Sequence, residues 1–174
     1  VISKGAEFDV RYLPEQLEGL TLQGGLVYAE TQYDDFEAVD FFAPPRLPGS
    51  TISFAPRWSG TLAATYEPSF ISDWDARFNV SSRFTSKYNS GSNLDPLKEV
   101  EELVVVNARM SFYSDNSPFE LELWAQNLFD EDYYELAFDT PLQGTAATQT
   151  APGTAVGAFL SPPLTFGATA RVRF

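Results

Sequence analysis

Apolar and polar residues take turns along most of this chain, and the 3.6-residue period of a helix is absent. A period of two marks a strand whose two faces meet different surroundings. Seven such segments can be read. In the first, about 5–12, Ala6, Phe8, Val10 and Tyr12 face one side, and Glu7, Asp9 and Arg11 the other. The second, 20–33, groups Leu20, Leu22, Gly24, Leu26 and Tyr28; the third, 56–66, groups Trp58, Gly60, Leu62, Ala64 and Tyr66. The fourth, 74–88, sets Trp74, Ala76, Phe78, Val80, Phe84 and Tyr88 against Asp75, Arg77, Asn79, Ser81, Arg83, Thr85 and Lys87. The fifth, 102–113, carries Val104, Val106, Ala108, Met110 and Phe112 on one face. The sixth starts at Phe119 with Leu121, Leu123 and Ala125, and the seventh is 164–174, ending on Phe174 with no polar tail.

The connections alternate in length. Segments 13–19, 67–73 and 114–118 are short and rich in turn formers, whereas 34–55, 89–101 and 128–162 are long. Short turns at one end and long loops at the other is the layout of an antiparallel, up-and-down transmembrane β-barrel. A soluble β-sandwich also alternates, so periodicity alone leaves both open. Three features favour the barrel. Every arginine except Arg46 lies on the polar face of a strand, as a lipid-facing surface that excludes arginine requires. Mid-strand carboxylates (Glu7, Asp9, Asp75, Glu120, Glu122) share that face, as in a wet lumen with cross-strand ion pairs. Tyr12, Trp58, Tyr66, Trp74, Tyr88, Phe112, Phe119 and Phe174 gather near strand ends on the apolar face, as in interfacial girdles.

Composition narrows the function. There is no Cys and no His, which removes disulfides, thiolate sites, the usual general base and the commonest metal ligand. The net charge of −13 argues against nucleic acid as a partner. No catalytic constellation stands out. Glu120 and Glu122 read as lumen ion-pair partners rather than an acid–base pair, and "GLTLQGG" (19–25) lacks the Lys-Ser/Thr of a phosphate loop. "DEDYYE" (130–135) is dense in hard oxygen ligands but matches no calcium-loop spacing, and reads as a solvated acidic loop. No metal or cofactor is expected. "FFAPPRLPG" (41–49) places Phe41, Phe42 and Arg46 in an outer loop, a candidate for ligand contact.

No run of apolar residues is long enough for a membrane helix, and the chain opens without Met or a signal peptide. Bacterial single-chain barrels have an even strand number of at least eight. Seven strands therefore raise the expectation that residues 1–174 are the C-terminal portion of a larger barrel.

Four stretches carry a resemblance: "SKGAEFDV" (3–10), "LPGSTISFAPRWSGTLAATY" (47–66), "LWAQNLFDEDYY" (123–134) and "PPLTFGATARVRF" (162–174). They resemble the C-terminal barrel of TonB-dependent outer-membrane receptors. The most specific part is Asn127-Leu128-Phe129-Asp130 followed by Tyr133-Tyr134, which in the family sits at the outer end of the next-to-last strand. The resemblance implies the last seven strands of a 22-stranded barrel. It also implies that Phe174, with Val172, Ala170, Ala168 and Phe166, is the terminal signature read by assembly machinery before the barrel closes. Many members have Pro-Arg before the last strand; here Leu164 follows Pro163, which sets aside a specific arginine contact there, not the family. The implied function is a receptor for energy-coupled uptake of a scarce nutrient such as an iron chelate, cobalamin or a glycan, not an enzyme. Its partners would be outer-membrane lipid, the small nutrient, and a TonB-type energising protein met through an upstream part with a plug. The competing readings are a passive porin or autotransporter barrel, and a soluble β-sandwich carbohydrate-binding module.

Overall fold

The structure, a computed structural model, describes residues 1–34, 48–68, 73–91, 94–140 and 156–173. Its strands are β1 (Ile2–Tyr12), β2 (Leu20–Gln32), β3 (Trp58–Tyr66), β4 (Asp75–Thr85), β5 (Tyr88–Asn89), β6 (Glu99–Val100), β7 (Leu103–Tyr113), β8 (Phe119–Gln126), β9 (Tyr134–Asp139), β10 (Val156–Leu160) and β11 (Thr165–Val172). A seven-stranded sheet runs β1-β2-β3-β4-β7-β8-β11, every neighbour antiparallel. β5 pairs only with β6, and β9 only with β10, as two-stranded extensions at the long-loop end.

Register sorts the side chains into two faces. One hydrogen-bonded row reads Tyr12, Leu22, Ala64, Val80, Ala108, Ala125, Phe166, and every residue in it belongs to the expected apolar face. Among the described residues nothing covers that face. Phe8, Leu62, Phe119 and Phe166 are 64%, 61%, 59% and 78% exposed. The buried apolar residues among those described are Ala76, Val100, Leu103 and Ala137, too few and too scattered to be a core. A sandwich would lay a second sheet over the apolar face, and no such sheet is present among the described residues. An uncovered apolar surface of this extent requires lipid.

The same row reports the tilt of the strands. It starts on the last residue of β1, two residues from the turn end in β2 and β3. The gap is five in β4 and β7 and six in β8 and β11. The stagger is therefore about one residue per strand. With a rise of about 3.3 Å per residue and strands about 4.8 Å apart, that corresponds to a tilt of about 35°, the value a closing barrel needs. The sheet itself is open, with β1 and β11 at its edges.

Some details differ from the sequence reading, and the first strand, read as 5–12, begins already at Ile2. The fourth strand was expected to run to Tyr88 but stops at Thr85, because Ser86 turns to Trp58: its N–H donates to the Trp58 carbonyl and its Oγ accepts from the Trp58 N–H. Segments 89–101 and 128–162, read as loops, contain β6 and the β9–β10 hairpin. At the opposite end the described turns, 13–19 and 114–118, are tight. Gly19 has a φ of 84° and backs onto the Glu67 carbonyl, so a side chain there would meet both a steric and a conformational barrier.

Val80 and Ser81 lie at mid-strand on opposite faces. Val80→Arg should cost about 2–4 kcal/mol at the membrane midplane and reduce the heat-resistant, slow-migrating barrel band on unboiled gels. Ser81→Arg should leave that band intact. Equal losses would show that the faces are misassigned.

Candidate functional site

The inner face is polar and mostly paired. At the turn end Arg77 forms an ion pair with Glu67 and stacks on Tyr113, 5.4 Å from the ring centre. Arg171 reaches Glu120 at 2.8 Å and Glu122 at 3.7 Å, and Arg173 reaches Glu120 at 3.1 Å. Asn79 donates to the Thr65 hydroxyl at 2.9 Å. Thr65, Arg77, Asn79, Glu120, Glu122 and Arg171, with Arg109 and Ser111, line a shallow cavity of about 300 Å³. Pairs as wet as these add little stability, on the order of 0–1 kcal/mol each. Their effect is a charged, hydrated wall on one side of a sheet that is greasy on the other. Trp124 also points inward: its indole lies flat over Gly167, where there is no room for a side chain, and its Nε1 donates to the Thr169 hydroxyl.

At the loop end the inner face carries a cluster. The Arg83 guanidinium donates to the Tyr133 hydroxyl at 3.1 Å and sits 6.0 Å from that ring's centre. Tyr88 lies within electrostatic reach of Arg83, Tyr133 and Glu135. Burial pushes the Tyr88 phenol above its ordinary range, while the Arg83 charge draws it down. The Phe54 ring packs at 6.3 Å from that of Tyr88. An arginine within reach of two tyrosines, one of them backed by Phe54, suits a planar or anionic ligand, through cation–π contact and charge-assisted hydrogen bonds.

Between wall and extension lies a knot built on Asn127. Its side chain is buried and makes three hydrogen bonds: Nδ2 donates to the Glu131 and Pro162 carbonyls, both at 3.0 Å, and Oδ1 accepts from the Glu131 N–H at 2.9 Å. Its own N–H donates to Asn107 Oδ1. Asn127 and Asp130 take the left-handed conformation, φ 50° and 56°, which Asn and Asp tolerate best after Gly. Asp130 Oδ1 accepts from the Leu164 N–H at 2.7 Å, clamping the entry to β11. Leu128 N–H bonds the Val106 carbonyl.

The family-motif residues thus come together in space: Asn127 and Asp130 make the turn, Leu128 and Phe129 are exposed, Tyr133 points inward and Tyr134 is exposed. Phe166, Ala168, Ala170 and Val172 line up on the outer face of β11, opposite Ala125, Leu123, Leu121 and Phe119. Phe174 lies outside the described residues, as do Phe41, Phe42 and Arg46. Among the described residues no set of three or more carboxylates is gathered as a metal site. The sequence reading placed Tyr88 on the apolar face as a girdle residue; this is corrected here, because β4 ends at Thr85 and Tyr88 lies in β5, within reach of Arg83 and Tyr133. Arg83 was read on the polar face, but nothing in sequence placed Tyr133 against it.

A two-faced, tilted, lipid-seeking sheet with a charged inner wall is a section of an outer-membrane β-barrel. A family model described as "TonB dependent receptor-like, beta-barrel" matches residues 1–128, and the chain belongs to that family. It is therefore a receptor barrel of a family associated with the outer membrane, not an enzyme. Solved structures share the fold at low identity. The ferric yersiniabactin uptake receptor FyuA from Yersinia pestis superposes with a TM-score of 0.74 at 12% identity, over 99% of this chain and 23% of that one. BauA, the ferric preacinetobactin receptor from Acinetobacter baumannii, gives 0.65 at 14% identity, over 97% and 21%. The ferric citrate transporter FecA, in its unliganded form, gives 0.64 at 20%, over 99% and 24%. The chain thus spans about a quarter of the length of these structures. No curated protein sequence matches it significantly.

Asn127→Ala should lower the unfolding midpoint of the assembled barrel, because the Pro162 carbonyl loses its amide donor and the Glu131 carbonyl keeps only the Ser161 hydroxyl, at about 0.5–1.5 kcal/mol per lost hydrogen bond. Asn127→Gly should cost about 1–2 kcal/mol less than Ala, since Gly accepts the positive φ. Urea titration of both variants compares them; identical midpoints would mean the left-handed turn is unstrained.

Proposed function

We propose that this chain is the C-terminal barrel wall of a bacterial outer-membrane receptor that takes up a scarce small nutrient by energy coupling, with an iron chelate as the leading substrate class. The observation that carries this reading is the inner face. It is polar over all seven strands and ends at the outer mouth in the Arg83–Tyr133–Tyr88 cluster. The family match supports a receptor, and the three structures above bear names of ferric-chelate receptors or transporters. In this reading a plug and the segment that meets the TonB-type protein lie upstream, and the apolar face of the wall meets outer-membrane lipid. The Arg83 cluster contacts the ligand as it enters, together with the loop that holds Phe41, Phe42 and Arg46. Phe166, Ala168, Ala170, Val172 and Phe174 serve barrel assembly rather than binding.

Uptake of a panel of labelled ferric chelates by cells carrying the complete gene product, with and without a working TonB system, tests the function. Uptake should need both the receptor and TonB; uptake that persists without TonB would make the barrel a passive pore. Arg83→Ala should weaken binding of the transported chelate by about 10- to 100-fold, as expected for a lost charge-assisted contact, with normal amounts of receptor in the membrane. Deleting Phe174 should do the reverse. Less receptor should reach the membrane, and each assembled copy should bind with unchanged affinity.

A further inference from the structure

The β9–β10 hairpin stands outside the seven-stranded wall, and an isolated two-stranded hairpin is at best marginally stable. Its position must come from its attachments. One is the Asn127 knot at its base. Another is Lys98. The Lys98 ammonium reaches the Asp139 carboxylate at 2.6 Å, and its side chain is only 2% exposed, although lysine is almost never buried unless paired. Beside it Ala137, on the same face of β9, is buried as well.

The backbone that presents Lys98 is held firmly. The Ser90 N–H and Oγ both donate to the Lys98 carbonyl at 2.9 Å. Asp95 caps the turn Pro96–Lys98 through the Leu97 N–H, and the Asn89 side chain donates to the Asp95 carbonyl at 2.7 Å. The Phe54 N–H bonds the Asn89 carbonyl, which ties in the β2–β3 connection. Lys98 is therefore a fixed post on a rigid β5–β6 cap, and the hairpin closes onto it.

We propose that the Lys98–Asp139 ion pair is a latch that joins the β5–β6 cap and the β9–β10 hairpin into one closed element over the outer mouth. A buried ammonium without its carboxylate is costly, so the two elements have a closed arrangement and an open, re-solvated one, with little between. The Arg83–Tyr133 hydrogen bond adds a second attachment of the hairpin, to the wall: Arg83 belongs to β4, the wall strand that leads toward the cap, and Tyr133 is the residue before β9. A ligand that competes for Arg83 would loosen the closure from beneath; this last link rests on the reading of the mouth as the ligand entrance.

The latch is testable without any ligand. Residues 1–174 have no cysteine; in the complete receptor in lipid vesicles, with any cysteine outside this segment replaced by serine, Leu97→Cys and Leu136→Cys, both at exposed positions, add a spin-label pair across the gap. A second pair at Leu62→Cys and Leu121→Cys reports on the wall. The unaltered latch should give one narrow distance across the gap. Lys98→Met should add a second, longer distance there and leave the wall pair unchanged. If Lys98→Met does not assemble, Asp139→Asn, which keeps the shape and an acceptor oxygen, is read in its place with the same expectation. The double replacement Lys98→Met/Asp139→Leu should restore the narrow distance, because an apolar pair removes the buried charge. An unchanged gap distance in the single variants overturns the latch, and so does broadening that extends to the wall pair. A failed transport assay would leave these distances as they are, so the two proposals stand or fall separately.

Discussion

Everything in this molecule depends on one constraint: a sheet whose outer face is apolar and uncovered must satisfy every backbone N–H and C=O edge to edge. In hydrocarbon no water is available to replace a missing partner. The seven strands answer with an unbroken antiparallel ladder from β1 to β11. Irregular backbone and the left-handed residues are collected at the two ends, where water or other backbone can take over. The absence of a buried core follows from the same constraint. The sheet's apolar surface is spent on the membrane, so the side chains that would fill a globular interior are turned outward.

Register then carries function. A slip of one residue would turn every outward Phe and Leu inward and every Arg and Glu into lipid, so pairing is strongly specified along the whole wall. The arginine–carboxylate pairs of β8 and β11 illustrate how little of this is direct stabilisation. Arg171 and Arg173 meet Glu120 and Glu122 on a wet surface, where such pairs are weak. What they supply is a charged inner wall that is nearly neutral locally, able to hold water and polar partners.

The outer end is organised differently from the wall. Asn127 and Asp130 convert the top of β8 into a rigid platform, and the β9–β10 hairpin rises from it. The β5–β6 cap faces that hairpin, and polar contacts hold the hairpin on both sides: Arg83 of the wall with Tyr133, and Lys98 of the cap with Asp139. Polar contacts between marginal elements are the kind that can be exchanged for contacts with a ligand, whereas the apolar wall beneath has no alternative partner. Mobility and recognition are therefore expected at the mouth, on a base that stays fixed.

The alternation written into the sequence was sufficient for the seven wall strands, their two faces and the even division into turns and loops. Each of those properties depends on residues adjacent in the chain and on the sign of their transfer energy. The Asn127–Tyr134 motif could be seen as a family mark, yet its work could not: its partners are Asn107, Pro162 and Leu164, brought near only when β7, β8 and β11 pair. β9 alternates too, in Tyr134, Leu136 and Phe138, but a single alternating stretch does not name its partner, and Val156–Leu160 lies beyond a long connection. Lys98 lies in a long connection followed by Glu99, Glu101 and Glu102, and nothing in that sequence marks it for burial. Only the tertiary structure decided that it is buried against Asp139, because burial is a property of the surfaces that meet around a side chain and not of the side chain itself.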